Sequence, residues 1–187
     1  MSPRRDPEGR RRAIVHAAVE TIAEVGIGQV THRRIAARAG VPLGSTTYYF
    51  PTLDDLVAAA LREATENARA GLEAWAEELT ASDDLPTAFV ELARGYLADR
   101  ERALVEYELC LAAARTTQLR PHAELWIDGL RGICARLAGG PERGFALAAL
   151  VDGAMLHALV TGDDLDSAGL RAGVRELLSR RTAGEPT

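Results

Sequence analysis

Five consecutive side chains with hydroxyl groups stand near the N-terminal end of the chain: Ser45, Thr46, Thr47, Tyr48 and Tyr49. Their hydroxyls offer hydrogen-bond donors and acceptors without a formal charge, and the tyrosines add flat aromatic surface. Such groups suit phosphate oxygens and the edges of nucleic-acid bases alike. The residue types therefore favour nucleic-acid recognition, although tyrosines at this spacing also serve as packing residues in helical cores.

Motifs for catalysis or metal binding do not occur in the sequence. Its four histidines show no HExxH-type spacing, and there is no GxSxG, P-loop or glycine-rich dinucleotide motif. Adjacent acids such as Asp83 and Asp84 stand where helices are expected to start, so capping and solvation account for them. Cys110 and Cys134 fall inside apolar helical runs, which favours buried free thiols over a disulfide. We therefore expect no enzyme activity, no catalytic residue, no metal site and no cofactor.

A short helix is predicted just before the hydroxyl cluster. It runs from Thr31, an N-cap residue type, to Ala39, with Ile35 and Ala39 on one face. Gly40 can adopt the left-handed backbone conformation that ends a helix, and Pro42 cannot continue one. The chain is therefore expected to turn sharply between Ala39 and the hydroxyl cluster.

The hydroxyl cluster itself is predicted to form a second short helix, from Ser45 to Phe50. Gly44 would allow a sharp entry, Ser45 would cap the helix, and Pro51 would stop it. Two short helices joined by a tight glycine turn are what a helix-turn-helix uses to place a recognition helix in the DNA major groove. A helical hairpin inside an all-helical core is the alternative, because the same geometry occurs in proteins that bind no DNA.

Charge is distributed unevenly along the chain. The first 50 residues hold eight Arg against four acidic residues, whereas the remainder holds 14 Arg against 23 acidic residues. A basic N-terminal part on an acidic body supports a nucleic-acid partner for that part alone, since clustered Arg neutralises phosphates. The sequence has no apolar run near the ~20 residues of a membrane span and no apolar signal-type N-terminus, so we expect a soluble, cytoplasmic protein that does not bind a membrane.

The remaining apolar residues recur every three or four positions, which predicts an all-α protein of about nine helices. Residues 1–9 are polar and proline-broken and are predicted to be a disordered arm. Residues 10–51 are predicted to form a three-helix domain containing the helix-turn-helix. Thr52 is expected to cap a long connector helix of roughly 40 Å, and residues 52–187 are predicted to form a second helical domain.

A run from Phe145 to Val160 is apolar nearly all round and is predicted to be one helix. At about 16 residues it is short for a bilayer, so in a soluble protein something must cover it. Its small residues would let another backbone approach closely. We therefore predict a homodimer interface made by this helix and the last one, Ser167 to Arg181, with these contact residues: Ala149, Gly153, Leu156, Val160, Leu170, Val174 and Leu177.

The segment from Arg11 to Leu56 resembles the TetR family of bacterial transcriptional regulators. The matching positions are Ile35-Ala36, Ala39-Gly40-Val41, Gly44-Ser45, Tyr48-Tyr49-Phe50 and Leu56. The resemblance implies a ligand-responsive DNA-binding regulator, in most cases a repressor, that binds a palindromic operator as a dimer.

The resemblance also implies which residues contact DNA. Phosphate contacts fall on Thr31, His32 and Arg33, and base and backbone contacts in the recognition helix fall on Leu43, Gly44, Ser45, Thr47, Tyr48 and Tyr49. The sequence departs from the family pattern at Pro42, Thr47 and Leu53, where Ser, an aromatic residue and Lys are usual. Loss of that Lys predicts a shallower dependence of DNA affinity on salt, since log K falls by ~0.9 per phosphate neutralised.

The resemblance further implies that a small effector binds in the C-terminal half. Large or polar side chains there are the candidates: Trp75, Phe89, Tyr96, Tyr107, Glu108, Leu111, Trp126 and His157. Taken one at a time, such residues more often have a packing role; taken together, they suit a mostly apolar ligand with one polar or cationic end, read by Glu108 or His157. A helical protein-interaction module that binds no specific DNA sequence remains the alternative function.

Overall fold

The computed structural model describes residues 6–179 of the chain. Within this range the chain forms nine α-helices and two short 3-10 turns, and it forms no β-strand. The all-α class with about nine helices is therefore confirmed. The helices are α1 (Pro7–Val25), α2 (His32–Arg38), α3 (Leu43–Tyr49), α4 (Leu53–Ala81), α5 (Leu85–Ala98), α6 (Arg100–Ala113), α7 (Arg120–Ala138), α8 (Pro141–Thr161) and α9 (Ser167–Ser179).

The chain divides into two compact units, and the boundaries fall inside helices. Among the described residues, the first unit comprises residues 6–68 and 105–123, and the second comprises residues 69–104 and 124–179. This division differs from the predicted boundary at residues 51 and 52. The reason is that Leu109, Ala113 and Leu119 are buried in the same hydrophobic cluster as Ile14 and Leu56, far apart in sequence.

Helix α1 begins earlier than its apolar spacing indicated. The Asp6 carboxylate accepts a hydrogen bond of 2.8 Å from the backbone N–H of Gly9, and Pro7 occupies the first turn, where a missing N–H costs nothing. The prediction of a disordered arm up to residue 9 is therefore wrong for Pro7 to Gly9. The rest of that arm, residues 1–5, lies outside the described residues.

Helices α2 and α3 form the predicted helix-turn-helix. The Thr31 hydroxyl caps α2 by accepting from the Arg34 N–H at 3.2 Å, as predicted. Gly40 has φ of 64°, which confirms its left-handed conformation. Pro42 then directs the chain into α3.

Helix α3 starts two residues before the predicted position. The chain enters it directly after Pro42, and the Ser45 N–H donates to the Pro42 carbonyl at 2.8 Å, so Ser45 and Gly44 lie inside the helix. The predicted cap by Ser45 and sharp entry at Gly44 are therefore wrong. The helix ends at Tyr49, and Phe50 is extended with ψ of 94°, as expected for a residue before proline.

Thr52 caps the long helix α4 as predicted. Its hydroxyl accepts from the Asp55 N–H at 3.1 Å and donates to the Asp55 carboxylate at 2.6 Å. With 29 residues, α4 is about 43 Å long. Residues 53–68 belong to the first unit and residues 69–81 to the second.

In the second unit, α9 packs against α5 and α8. Leu170 and Val174 of α9 are 2% and 0% exposed, so they belong to the core of their own chain. Their prediction as dimer-interface residues is wrong, because the apolar face of α9 is already covered by α5 and α8. Leu177 is half-buried.

Helix α8 is longer than the apolar run suggested, at 21 residues rather than about 16. By length and composition alone it could cross a membrane, but a core helix of a soluble protein passes the same test. One side of it, including Leu147, Val151 and Met155, is fully buried. The opposite side carries exposed apolar residues: Phe145, Ala149, Gly153, Leu156 and Val160.

Candidate nucleic-acid interface and ligand site

Helix α3 has one exposed face and one anchored face. Leu43 and Tyr48 are 49% and 79% exposed, and Gly44 and Thr47 are exposed beside them. Thr46 is fully buried, and its hydroxyl donates to the Leu43 carbonyl at 2.8 Å. Thr46 was the one hydroxyl of the cluster not predicted to contact DNA. The predicted contact residues therefore lie on the outward face, with Ser45 and Tyr49 half-buried at its edges.

The outward face is open at its start and aromatic at its end. A side chain added at Gly44 would meet nothing within 4 Å, so another molecule can approach the backbone closely there. Tyr48 and Tyr49 contact each other edge to face, with ring centroids 5.1 Å apart. That contact restricts the orientation of the Tyr48 ring, while the side chain as a whole stays exposed.

At the start of α2, the predicted phosphate contacts divide into two kinds. Thr31 and Arg33 are exposed, so both can meet a phosphate. The His32 ring is directed into the protein, and both its nitrogen atoms are buried without a hydrogen-bond partner. In this conformation neither ring nitrogen of His32 can meet a phosphate, so the side chain does not support the predicted contact, which stays a prediction for the residue as a whole.

Ion pairs and a cation–π contact hold the helix-turn-helix on α1. Arg38 of α2 pairs with Glu24 and lies 3.6 Å from the Glu20 carboxylate. Arg11 of α1 lies over the Phe50 ring, 5.2 Å from its centroid. These contacts join α1 to the end of α2 and to the residue that follows α3, on the side of the helix-turn-helix away from the outward face of α3.

A cavity of about 520 Å³ lies between the start of α1 and α3. Asp6, Pro7 and Arg10 form one wall, and Pro42, Gly44, Ser45, Tyr48 and Tyr49 form the other. Sequence reasoning missed Arg10 as a neighbour of the recognition helix. The Asp-Pro pair before an apolar-periodic run was the available signal, because it marks a helix start that brings Arg10 into ordered structure.

Three of the predicted effector residues come together in the second unit. Trp75 lies edge-on to Tyr96 and to Trp126, with ring centroids 6.5 and 6.3 Å apart. Tyr96 and Trp126 stack at 5.7 Å with an interplanar angle of 28°. Trp75 and Tyr96 are each 6% exposed, and Trp126 is half-buried. We call these three residues the aromatic cluster.

The other predicted effector residues have mixed positions. Phe89 is fully buried in the second unit, and His157 of the same unit is exposed on α8. Tyr107, Glu108 and Leu111 belong to the first unit, where Tyr107 is half-buried and the other two are exposed. Helical spacing alone did not distinguish the buried side chains of this set from the exposed ones.

Neither cysteine forms a disulfide, as predicted, and Cys134 is buried as predicted. Burial raises the pKa of the Cys134 thiol to about 12, so it stays protonated at neutral pH and is unreactive. Cys110 is half-buried. Among residues 6–179, no group of three or more His, Cys, Asp or Glu side chains is placed to hold a metal ion.

Family models match both parts of the chain. Residues 14–60 match the model described as bacterial regulatory proteins, tetR family. Residues 80–181 match the model described as tetracyclin repressor-like, C-terminal domain. The curated HTH-type transcriptional regulator BetI of Escherichia coli is 27% identical over 180 residues, which cover 84% of this chain and 86% of BetI.

Solved structures agree with the family models. A member of the TetR family from Streptomyces coelicolor A3 is 40% identical with a TM-score of 0.71, covering 90% of this chain and 97% of that one. The multidrug binding protein EbrR complexed with malachite green is 38% identical with a TM-score of 0.70, covering 94% and 98%. EbrR complexed with proflavin is 39% identical with a TM-score of 0.64, covering 90% and 99%. The chain thus belongs to the TetR family of bacterial transcriptional regulators and is a ligand-responsive DNA-binding regulator.

Proposed function

We propose that this regulator is a cytoplasmic homodimeric repressor that binds a palindromic operator through α3 and releases it when a small, largely apolar effector binds. The observation that carries the DNA half of the proposal is the exposed face of α3, presented after a glycine turn by a helix anchored through buried Thr46. Such a face fits the major groove, where hydroxyl and aromatic groups meet base edges and thymine methyl groups.

Two kinds of DNA contact are assigned within the first unit. Thr31 and Arg33 bind phosphates and set the register on the duplex. The residues of α3 then meet bases and nearby backbone; they are Leu43, Gly44, Ser45, Thr47, Tyr48 and Tyr49. Because no Arg or Lys stands among them, specificity rests on tyrosine, hydroxyl and shape contacts rather than on bidentate pairing with guanine.

The exposed apolar side of α8 supports the dimer. Phe145, Leu156 and Val160 are 56%, 38% and 76% exposed, and the small residues Ala149 and Gly153 lie between them on the same side of the helix. Apolar residues in a row along one helix face favour burial against another surface. A second copy of α8 is the partner we assign, and two copies would present two α3 helices to half-sites about 34 Å apart.

The aromatic cluster supports the effector half of the proposal. EbrR was crystallised with proflavin, ethidium and malachite green, all of which are aromatic cations. Indole and phenol rings attract such ligands by stacking and by cation–π interaction. We therefore propose that the effector is an aromatic cation that inserts among Trp75, Tyr96 and Trp126. The predicted reading of a polar ligand end by Glu108 or His157 stays a prediction, and no contact between Glu108 and the aromatic cluster is assumed. An unchanged effector response after replacing both residues would exclude it.

Release of a preformed operator complex tests the effector proposal. Proflavin is titrated into wild-type protein bound to a labelled operator duplex, and loss of anisotropy measures release. Because proflavin also intercalates into DNA, the matched control is Trp126→Ala on the same duplex. Release of wild type at a lower dye concentration than the variant supports the proposal, whereas equal release of both proteins means that the dye acts on DNA alone.

A further inference from the structure

The Tyr96 ring of the aromatic cluster already has a cation beside it. The Arg102 guanidinium carbon lies 5.2 Å from the centroid of the Tyr96 ring. One guanidinium nitrogen also donates to the Tyr96 carbonyl at 3.4 Å, and Nε lies 3.7 Å from the Asp99 carboxylate. Arg102 is thus held by a ring, a carbonyl and a carboxylate at once.

The chain between α5 and α6 produces this arrangement locally. Tyr96 is in the last turn of α5, and Asp99 follows the end of that helix. The Asp99 carboxylate accepts from the backbone N–H of Arg102 at 3.1 Å, which caps the first turn of α6. Since all three residues lie within one short segment of the second unit, their relative positions follow from the turn itself.

A guanidinium and a cationic ligand compete for the same features. Both prefer the face of an electron-rich ring and the neighbourhood of a carboxylate. Trp126 is already stacked on Tyr96, so little further ring surface is free for a second cation. Like charges held close together also repel each other, which raises the cost of binding a cation while Arg102 stays in place.

We propose that Arg102 is an internal competitor of the effector. To bind, the effector must displace the Arg102 guanidinium from the Tyr96 ring, and the effector then pairs with Asp99. This inference rests on the proposed function, and it makes Arg102 and Asp99 specificity-determining residues of the ligand site. After the displacement, a cationic ligand can take the place of Arg102 beside the Asp99 carboxylate. A neutral ligand cannot, and it would cost Asp99 the ion pair with Arg102. The pair therefore selects cations over neutral rings of the same size.

The chain offers a matched control for this arrangement. Arg131 of α7 lies 5.3 Å from the centroid of the Phe145 ring and 3.9 Å from the Asp128 carboxylate, three residues earlier. Its side chain is 49% exposed, the same fraction as that of Arg102. Replacing Arg131 thus removes an equivalent charge, ring contact and ion pair outside the aromatic cluster.

The test measures dissociation constants by quenching of tryptophan fluorescence in the full-length protein without DNA. Proflavin is the cationic probe, and acridone is the neutral ring system of similar size. The proteins are wild type, Arg102→Met, Arg102→Lys, Asp99→Asn and the control Arg131→Met, each checked for an unchanged melting temperature. Methionine keeps the length of the side chain and its helix propensity while removing the charge.

Arg102→Met is expected to bind proflavin about three- to tenfold more tightly than wild type, with a smaller change for acridone, because only the cation gains from the freed carboxylate. Arg102→Lys keeps a competing charge and should stay close to wild type, and Asp99→Asn should weaken proflavin binding. Equal proflavin affinities for wild type, Arg102→Met and Arg131→Met, with all three binding the dye, would overturn the competitor role and leave the proposed function standing. Failure of every protein to bind proflavin would overturn both.

Discussion

Tyr48 is 79% exposed, whereas Thr46, two residues earlier on the same helix, has no exposed surface. A contact made by Tyr48 can therefore be removed without disturbing the core. Arg33, on the neighbouring helix, is also exposed but carries a charge that suits any phosphate. The two residues are thus assigned opposite roles, one in reading sequence and one in holding the backbone.

Tyr48→Ala is predicted to weaken operator binding about ten- to a hundredfold while leaving binding to random duplex nearly unchanged, since base contacts contribute only at the correct site. Arg33→Ala is predicted to weaken both and to reduce the salt slope by about one. Anisotropy titrations over a salt series measure all four values. If both substitutions reduced discrimination equally, this division of roles would be wrong.

His122 provides a pH prediction within the first unit. It is 4% exposed, its Nδ1 has no hydrogen-bond partner, and burial lowers its pKa from the ordinary value of 6.5. The unfolded chain therefore binds more protons than the folded chain just below pH 6.5, so the contribution of neutral His122 to stability is complete above that pH and is lost as pH falls through it.

His122→Leu is accordingly predicted to reduce the drop in melting temperature between pH 7.5 and pH 5.5. Thermal unfolding followed by circular dichroism at the two pH values measures that drop. His16→Leu is the control, because the His16 side chain is 70% exposed. A drop that stays as large in His122→Leu as in wild type would mean that other groups cause it.

Two helical glycines, Gly144 of α8 and Gly95 of α5, differ in the space available for a side chain. Gly144 is buried against α7, where an added Cβ would overlap the backbone N and Cα of Ala135. Those atoms cannot move without shifting α7. By contrast, an added Cβ at Gly95 on α5 would meet nothing within 4 Å.

Gly144→Ala is predicted to destabilise the protein by about 2–3 kcal/mol, since overpacking forces a backbone shift. Gly95→Ala is predicted to stabilise it by about 0.5–1 kcal/mol through helix propensity. The melting temperatures of the two variants, each compared with that of wild type, measure both changes in stability. An unchanged melting temperature for Gly144→Ala would show that α7 and α8 are not packed this closely.

The turn residues and helix caps made the number and order of the helices predictable. The starts of α1 and α3 were misplaced because the chain used a different helix start nearby. Thr31, Gly40 and Thr52 act as their residue types indicate, because a hydroxyl cap or a left-handed glycine needs only its near neighbours. Asp6 capping extended α1, and α3 followed Pro42 directly. In each case the competing helix start lay two or three residues away, which periodicity does not resolve.

Site residues were predictable where helical spacing alone places them on one face of a helix. The outward face of α3 contains the predicted contact residues, and three predicted rings meet in the aromatic cluster. Leu170 and Val174 were misassigned because periodicity identifies an apolar face without identifying the helix that covers it. Arg102 escaped prediction because it reaches Tyr96 across the break between two helices, where no helical spacing applies.

Operator binding as proposed needs two copies of the chain for each operator. The double variant Leu156→Glu with Val160→Glu is predicted to fold normally, because both side chains are exposed in the single chain, and to be monomeric with greatly weakened operator binding. Sedimentation velocity measures the oligomeric state. Ile127→Glu is the control, as Ile127 is an exposed apolar residue of α7, at 50%. A double variant that remains dimeric would place the interface elsewhere.

The most direct measurement is fluorescence anisotropy of labelled duplexes from the region upstream of the protein's own gene, compared with a scrambled duplex across a salt series. We expect saturation at two chains, or a multiple of two, per duplex, with clear preference over scrambled DNA that persists at ~0.15 M salt. If the operator lies elsewhere, selection from random sequences is predicted to recover a palindrome. Weak, equal binding to all duplexes that vanishes with salt, together with no enriched sequence, would contradict sequence-specific operator binding and favour a protein-interaction role.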